Sequence, residues 1–502
     1  MWLATVISVL FFAEAAWRIA LPGSSTPDKA SAYLNAANFI LFGLLGLGCV
    51  FWPRREAKDD QSPAGAELTV VVDSPAAKDV DTGVKEVEND APATVEVPPK
   101  RQVNYLTNLK TFLTFVVVAH HTVMMFTGGG LGFLDMPSFS LSPKETRSFF
   151  TGGLWFTSVN QDYFMATFFL VSGLFCPTSL DRKGFRKFVI DKIIRLGGPW
   201  IMWSAFLGPL LEMWVNAYAG LPVTYTYNEG TTWFVLWLLN FSIAYAVIAQ
   251  FMPTVRRIGM PHPYVLLLIG LGLGGVFYGM SVALGCTGDI CSQFGNMSGW
   301  DYGVAIYIPF FFAGVVGGRN DWLKSVEGMK TWVVWSLRVI VVGFWVLIYL
   351  MFAQFTIPIP SLFNEDTMST AINVYLVQMI APPVYAVPMT LAIMQFFHQY
   401  FNATPQSKFM RSTGLAAYMV YVIQFWPMQL AMLVFVEILK AAGVPLVLEE
   451  KTLFTTGADG QPVLLSDGII WGGWVFVFVL TQLILWPLCF YLRKLPVLNK
   501  MF

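Results

Sequence analysis

Ionisable side chains lie inside an apolar segment, "LTNLKTFLTFVVVAHHTVMMF", at residues 106–126. This segment holds Lys110 and the tandem pair His120 and His121, although the whole chain has only 4 histidines. On a helix, with about 100° between successive residues, Lys110 and His121 fall within about 20° of each other and Thr114 within about 40°. His120 points about 100° away from His121. The segment therefore predicts a helix with a polar stripe from Lys110 to His121, ~16 Å long, and with His120 turned aside.

Two kinds of role fit such a stripe. Ionisable groups inside a membrane span are costly and usually face the bundle interior or a wet cavity, and histidine is the usual general base near neutral pH. This favours His121 as a base. Alternatively, Lys110 extends its ammonium group to the membrane interface and a histidine only links two helices. No metal site is indicated, because the adjacent histidines diverge and no carboxylate follows them at i+3 or i+4.

The composition is that of a membrane protein. Of 502 residues, 56% are hydrophobic and only 12% are charged, about half the charged share of a soluble domain. Apolar runs of roughly 18 or more residues indicate spanning helices, and such runs exclude the alternating pattern of a barrel. The net charge is zero, so the chain lacks the excess of basic residues that is typical of nucleic-acid-binding proteins. We therefore predict an all-α, polytopic integral membrane helix bundle.

The chain divides into three parts. Residues 1–53 contain two apolar segments, and the first is either a retained span or a signal peptide. Residues 54–101 are rich in Pro, Ala and acidic residues without aromatics, which predicts a disordered acidic linker. Residues 102–502 form the body, with ten predicted spans at about 106–126, 161–179, 197–219, 231–252, 262–284, 301–318, 331–354, 371–397, 413–439 and 469–492.

The loops of the body alternate in positive charge. Basic clusters such as "DRKGFRKFVIDKIIR" and "RKLPVLNK" alternate with loops such as "SLFNEDTMS" that have no Lys or Arg. By the positive-inside rule, the linker and the C-terminus face the cytoplasm. The pattern fits a plasma membrane and an endomembrane equally.

Several blocks of the body resemble the membrane-bound acyltransferase 3 family, whose members typically have ten spans. The family signature, an Arg or Lys followed eleven positions later by His, is matched by Lys110 and His121. The blocks "NQDYFMATFFLVSGLFCPTSLDRKGFRKF" and "DKIIRLGGPW" resemble the next helix, its basic loop and the R-x-x-R-x-x-x-P region, with Lys192 and Arg195 at the basic positions. The resemblance covers about residues 101–495, and lysine replaces the commoner arginine at 110 and 192.

The resemblance implies transfer of an acyl group, here acetyl, from acyl-CoA to a hydroxyl of a sugar, lipid or other small acceptor, with no permanently bound cofactor. His121 would be the base, or the carrier of an acyl-histidine, and Lys110 would meet the donor. The basic loop could dock the phosphates of CoA, although it also fits a simple topology signal or anionic lipid. The expected donor contacts are Lys192, Arg195, Arg182 and Arg186, and the expected cavity residues are Thr114, Glu212, Tyr421 and Gln424.

Two other functions remain open at the level of sequence. A transporter or flippase could use Lys110 and His121 in a proton or substrate path, although no inverted repeat supports it. A silent membrane scaffold could recruit partners through the acidic linker.

Overall fold

The structure is a computed structural model that describes residues 3–11, 41, 44, 103–128, 133–141, 144–251, 258–283, 306–353, 374–402, 406–458 and 460–502. The predicted linker and nearly all of the N-terminal two-span segment lie outside these residues. The short helical stretch at 3–11 packs on the body, where Phe11 stacks on Trp200 with ring centroids 5.6 Å apart.

The described body is helical, as predicted. The helices are α1 (Asn104–Thr127), α2 (Ser148–Lys192), α3 (Gly198–Ile201), α4 (Gly208–Tyr218), α5 (Trp233–Ile248), α6 (Pro263–Ala283), α7 (Ile308–Arg319), α8 (Trp322–Glu327), α9 (Thr331–Ala353), α10 (Val374–Tyr400), α11 (Lys408–Ile423), α12 (Phe425–Ala441), α13 (Asp467–Leu492) and α14 (Leu498–Met501). Two π-helical segments, Ile193–Gly197 and Met202–Leu207, join α2, α3 and α4.

Among the described residues, six helices are long and apolar enough to cross a membrane, or seven if the bent pair α11–α12 is one span. The continuous helical run Ser148–Tyr218 is counted once, although Gly184 interrupts it with φ 70° and ψ 162°. The run therefore holds the second and third predicted spans. Two further predicted spans correspond to the shorter apolar helices α6 and α7. The protein is thus a multi-pass membrane helix bundle.

The predicted span 413–439 is not one continuous helix. The structure bends it by 71° between α11 and α12, at Gln424. Pro427 explains the bend, because a proline has no N–H to donate to the carbonyl of residue i−4, here Ile423, and its ring clashes with that carbonyl. The bend places a buried glutamine in the middle of the bundle.

Two small sheets lie in the loops at the end of the bundle where α1 ends. Strands β1 (Phe139–Leu141) and β2 (Lys144–Thr146) form an antiparallel hairpin. Strands β3 (Leu446–Glu449), β4 (Thr452–Thr456) and β5 (Pro462–Val463) form a sheet in the order β3-β4-β5. An isolated bridge between Asp135 and Thr452 ties the loop after α1 to β4. We call this end of the bundle the sheet end and the opposite one the basic end.

α1 is central to the bundle. Over the 18-residue apolar stretch of α1, 72% of the residues are buried. The corresponding share in α13 is 22%, so α13 faces outward as a lipid-facing helix does. α2 packs closely on α7 at two glycines: a Cβ at Gly173 would overlap the carbonyl oxygen of Phe311, and one at Gly314 that of Leu170. Small residues allow such close approach of membrane helices.

We expect Gly314→Ala to destabilise the protein by about 1–3 kcal/mol, because an added Cβ must push two backbones apart. The measurement is the midpoint of thermal unfolding in detergent. Gly343→Ala in α9 is the matched control, because no atom lies within 4 Å of its added Cβ. Equal melting temperatures for the two variants would contradict the proposed close contact.

Candidate active site

His121 lies on α1, half-buried, at the bend between α11 and α12. Its Nδ1 is 3.1 Å from Oε1 of Gln424, in hydrogen-bond geometry. Its ring contacts the ring of Phe425 edge to face, with centroids 5.3 Å apart. α1 and the bend thus hold the imidazole from two sides.

His120 points elsewhere, into the contact between α1 and α2. It is 4% exposed, and its ring lies 5.2 Å from that of Phe164. Its Nδ1 has no hydrogen-bond partner among the described residues. The two histidine rings touch edge to face, at 5.3 Å, but only His121 reaches the bend.

Lys110 lies on the same helix towards the basic end. Its ammonium is 5.6 Å from the ring centroid of Phe175, a cation–π contact. Its charge interacts with that of Arg195, from the π-helical segment after α2. The carbonyl of Arg195 accepts a hydrogen bond of 2.8 Å from the Tyr418 hydroxyl, which fixes this segment against α11.

A third cation, Arg493, joins this group from the end of α13. Partial burial and, second, the neighbouring charge of Arg195 lower the pKa of Arg493. Within the described part of the chain, Lys110, Arg195 and Arg493 form no ion pair. Arg195 thus interacts with both Lys110 and Arg493, and among the described residues no carboxylate pairs with any of the three, so they form an electropositive cluster suited to a polyanion. We call it the basic cluster.

The other predicted donor contacts, Lys192, Arg182 and Arg186, lie on α2 before the π-helical segment that carries Arg195. Lys192 lies over the ring of Phe188, 5.2 Å from its centroid. Arg182 is exposed and Arg186 is half-buried. Neighbouring acids neutralise two further cations of the basic end: Asp191 pairs with Lys183 at 2.7 Å, and Asp181 pairs with Arg319.

The predicted cavity residues have different neighbours. Thr114 is buried, and its hydroxyl donates to the Lys110 carbonyl at 2.9 Å. Tyr421 is also buried, and its hydroxyl donates to the carbonyl of Thr231. Of this predicted set, Gln424 is the residue that contacts His121.

Glu212, an expected cavity residue, has two polar partners at the sheet end. Its Oε1 is 3.5 Å from Nζ of Lys451, and the Asn228 amide donates to its Oε2 at 3.4 Å. Both charged side chains of the pair are about one-fifth exposed. The carboxylate is therefore engaged within the protein.

The loop after α1 packs on the start of α12, next to the residue that contacts His121. Phe133 packs on Phe425 with centroids 5.3 Å apart, and the Leu134 N–H donates to the Gln429 side chain at 3.1 Å. The backbone of Asp135 is bonded on both sides to the segment around β4. This covering loop, residues 133–138, therefore packs against α12 at Phe425, the residue whose ring contacts His121.

Asp135 in the covering loop is 8% exposed, and its Oδ1 has no hydrogen-bond partner among the described residues. Burial raises the pKa of this carboxyl from 3.8 to about 6, while a hydrogen bond to Thr452 opposes the change. The folded state therefore holds a proton that the unfolded state releases, and stability falls as pH rises from about 4 to about 6.

We expect Asp135→Asn to stabilise the protein by about 3 kcal/mol above pH 7, and by only about 1 kcal/mol near pH 4.5. The asparagine removes the cost of ionising the buried carboxyl. Thermal unfolding at the two pH values measures the difference. Glu449→Gln, on an exposed strand residue, is the control. A stabilisation by Asp135→Asn that does not change with pH would contradict this account.

Sequence reasoning missed Arg493 and Phe425. Arg493 lies in "RKLP", a motif that sequence alone assigns only to topology, and the signal for Phe425 was the neighbouring Pro427. Among the described residues, no group of three or more His, Cys, Asp or Glu side chains could hold a metal ion.

A family model described as an acyltransferase domain, that of the acyltransferase 3 family, matches residues 103–492. The match includes α1 and the α11–α12 bend and ends one residue before Arg493. No curated protein and no solved structure matches the chain.

Proposed function

The chain belongs to the acyltransferase 3 family, and on this premise we propose that it is a membrane O-acyltransferase whose donor is acetyl-CoA. The acceptor is a hydroxyl of a carbohydrate, lipid or other small molecule. The observation that carries the proposal is the placement of Lys110 and His121 on one central helix, with the basic cluster around the first and the α11–α12 bend around the second.

The basic cluster suits the donor. Coenzyme A carries several phosphate charges, and cations that repel each other in the free protein are stabilised when a polyanion lies among them. The positive-inside rule directs the basic end towards the cytoplasm, where acyl-CoA is found. Lys110, Arg195 and Arg493 would hold the phosphates, and the long pantetheine arm would carry the thioester along α1 towards His121, ~16 Å away by helix rise.

The reaction needs one base. His121 takes the proton of the acceptor hydroxyl as its oxygen attacks the thioester carbonyl carbon. The C–O bond forms, the C–S bond breaks, and the thiolate of CoA leaves and receives that proton. In the alternative course the imidazole itself attacks, and an acyl-histidine passes the acetyl group to the hydroxyl. Both courses consume one acetyl-CoA and release one CoA per ester.

The test is turnover of acetyl-CoA by the purified full-length protein in nanodiscs, with free CoA measured against a panel of sugar and lipid hydroxyl acceptors. We expect CoA release that depends on one acceptor class. Movement of a solute across proteoliposomes, with no acyl-CoA of any chain length consumed, would overturn the proposal in favour of a transporter.

A further inference from the structure

Gln424 is fully buried, a polar side chain in the middle of the bundle. The bend between α11 and α12 brings it against His121, with Oε1 3.1 Å from Nδ1. Its Nε2 donates to the Tyr421 carbonyl at 2.8 Å. The amide is therefore held at both of its polar atoms.

This arrangement determines which imidazole nitrogen carries the proton. A backbone carbonyl only accepts, so the NH₂ of Gln424 must face Tyr421 and its oxygen must face His121. That oxygen also only accepts, so Nδ1 of His121 must carry a hydrogen. In the neutral ring, Nε2 then keeps its lone pair.

The amide is itself supported. The hydroxyl of Tyr421 donates to the Thr231 carbonyl, which fixes the last turn of α11. The Met428 N–H donates to the Gln424 carbonyl at 3.2 Å, so the backbone at the bend stays hydrogen-bonded to α12. Gln424 therefore has little freedom to turn away from His121.

We infer that Gln424 is the positioning residue of this enzyme: its side-chain amide holds His121 as the Nδ1–H tautomer and leaves Nε2 to take the proton of the acceptor hydroxyl. The role in catalysis depends on the proposed function, whereas the tautomer does not. The partner is a neutral amide, so it orients the ring without the charge that a carboxylate would supply to an imidazolium. The titratable group nearest to the ring is His120 on α1, whereas Gln424 and Phe425, on the facing side, do not titrate.

The first test needs no activity. The full-length protein, labelled with ¹⁵N-histidine and held in nanodiscs, has only 4 histidines, and the His121 signals are assigned by their loss in His121→Asn. We expect a protonated Nδ1 and an unprotonated Nε2 in the wild type, and a mixture of tautomers in Gln424→Leu. An Nε2–H tautomer in the wild type would overturn the inference. A pure Nδ1–H tautomer in Gln424→Leu, unchanged from the wild type, would overturn it as well.

The second test is the pH profile of kcat. We expect Gln424→Leu to lower kcat roughly 10–100-fold, as loss of an orienting partner does, with the KM for acetyl-CoA unchanged. Gln424→Glu should move the acidic limb of the profile to higher pH, because a carboxylate stabilises the imidazolium. A merely structural role would lower activity without moving this limb, and that result would overturn the inference.

Gln395→Glu is the matched control, a buried glutamine of α10 whose amide donates to the carbonyls of Val326 and Glu327. It should leave the acidic limb in place. Thermal unfolding of every variant verifies folding. A wild type without turnover on any acyl-CoA would remove the proposed function, and the nitrogen shifts would still decide the tautomer.

Discussion

We expect His121→Ala to lower CoA release from acetyl-CoA by about 10²–10⁴-fold, the range that general-base catalysis contributes. His121 is half-buried on α1, and its one described side-chain hydrogen bond is to Gln424. The variant should therefore insert into the membrane and fold, with a stability lowered by about 1–3 kcal/mol because the buried amide oxygen of Gln424 loses its partner. It should also keep its affinity for CoA, since the basic cluster lies towards the other end of α1.

His120→Ala is the matched control, because the two histidines are adjacent in sequence and differ in direction. His120 packs against Phe164 and does not reach the bend, so its loss should cost packing stability and less than about tenfold in rate. If His120→Ala lost turnover as His121→Ala does, the assignment of the base to His121 would be wrong. If both variants kept full activity, α1 would not carry the reaction.

The wild type and His121→Ala together distinguish the direct course of the reaction from the acyl-histidine course. An acyl-histidine course predicts that the wild type, mixed with radiolabelled acetyl-CoA and no acceptor, releases one CoA per protein in a burst and keeps the label. His121→Ala would show neither. A direct course predicts no burst in the wild type, because the thioester waits for a hydroxyl. Either result is compatible with His121 as the centre of the chemistry.

The boundaries of a spanning helix were predictable from the sequence where polar residues flank the apolar run on both sides. The predicted spans 331–354 and 469–492 agree with α9 and α13 to within two residues, because these outward-facing helices have polar residues at both ends. The second span was harder to predict: the helix begins at Ser148, although "NQD" interrupts the apolar run. Asn160 satisfies its amide on the carbonyl of Phe156, at 2.7 Å, so the helix continues through polar residues.

The geometry of the site was predictable only within one helix, although Arg195 and Gln424 on other segments were expected to take part. Lys110 and His121 share α1, so their spacing alone predicts a common face. The partners of each come from distant parts of the chain: Gln424 is 303 positions from His121, and Arg493 joins from the last long helix. Periodicity within a segment contains no information about which helices become neighbours. Pro427 was the one local signal, because it predicts a break at which a side chain such as Gln424 leaves the regular helix.

Because Lys110 belongs to the basic cluster, its loss should change the stability of the protein as well as its affinity for acetyl-CoA. Its charge is half-buried, it interacts with that of Arg195, and neither forms an ion pair among the described residues. The unliganded protein therefore contains an unfavourable interaction that a bound polyanion would relieve. Functional sites often contain such strain, at a cost to stability.

We expect Lys110→Gln to raise the KM for acetyl-CoA roughly 30-fold or more, since removing one partner of a buried charge pair costs about 2–5 kcal/mol. The same variant should unfold at a higher temperature than the wild type without ligand, because one of three repelling cations is gone. Addition of CoA should then raise its unfolding temperature much less than that of the wild type. Thermal unfolding with and without CoA, together with steady-state kinetics, measures all three effects.

Lys110→Arg is the conservative comparison. Arginine keeps the positive charge and presents a wider fork of donors than an ammonium group. It should preserve the KM for acetyl-CoA within a few-fold. Arg493→Gln should behave like Lys110→Gln in kind, since it removes another cation of the same cluster. If Lys110→Gln bound CoA as tightly as the wild type while His121→Ala lost all turnover, the base would stand and the donor would have to enter the bundle by another route.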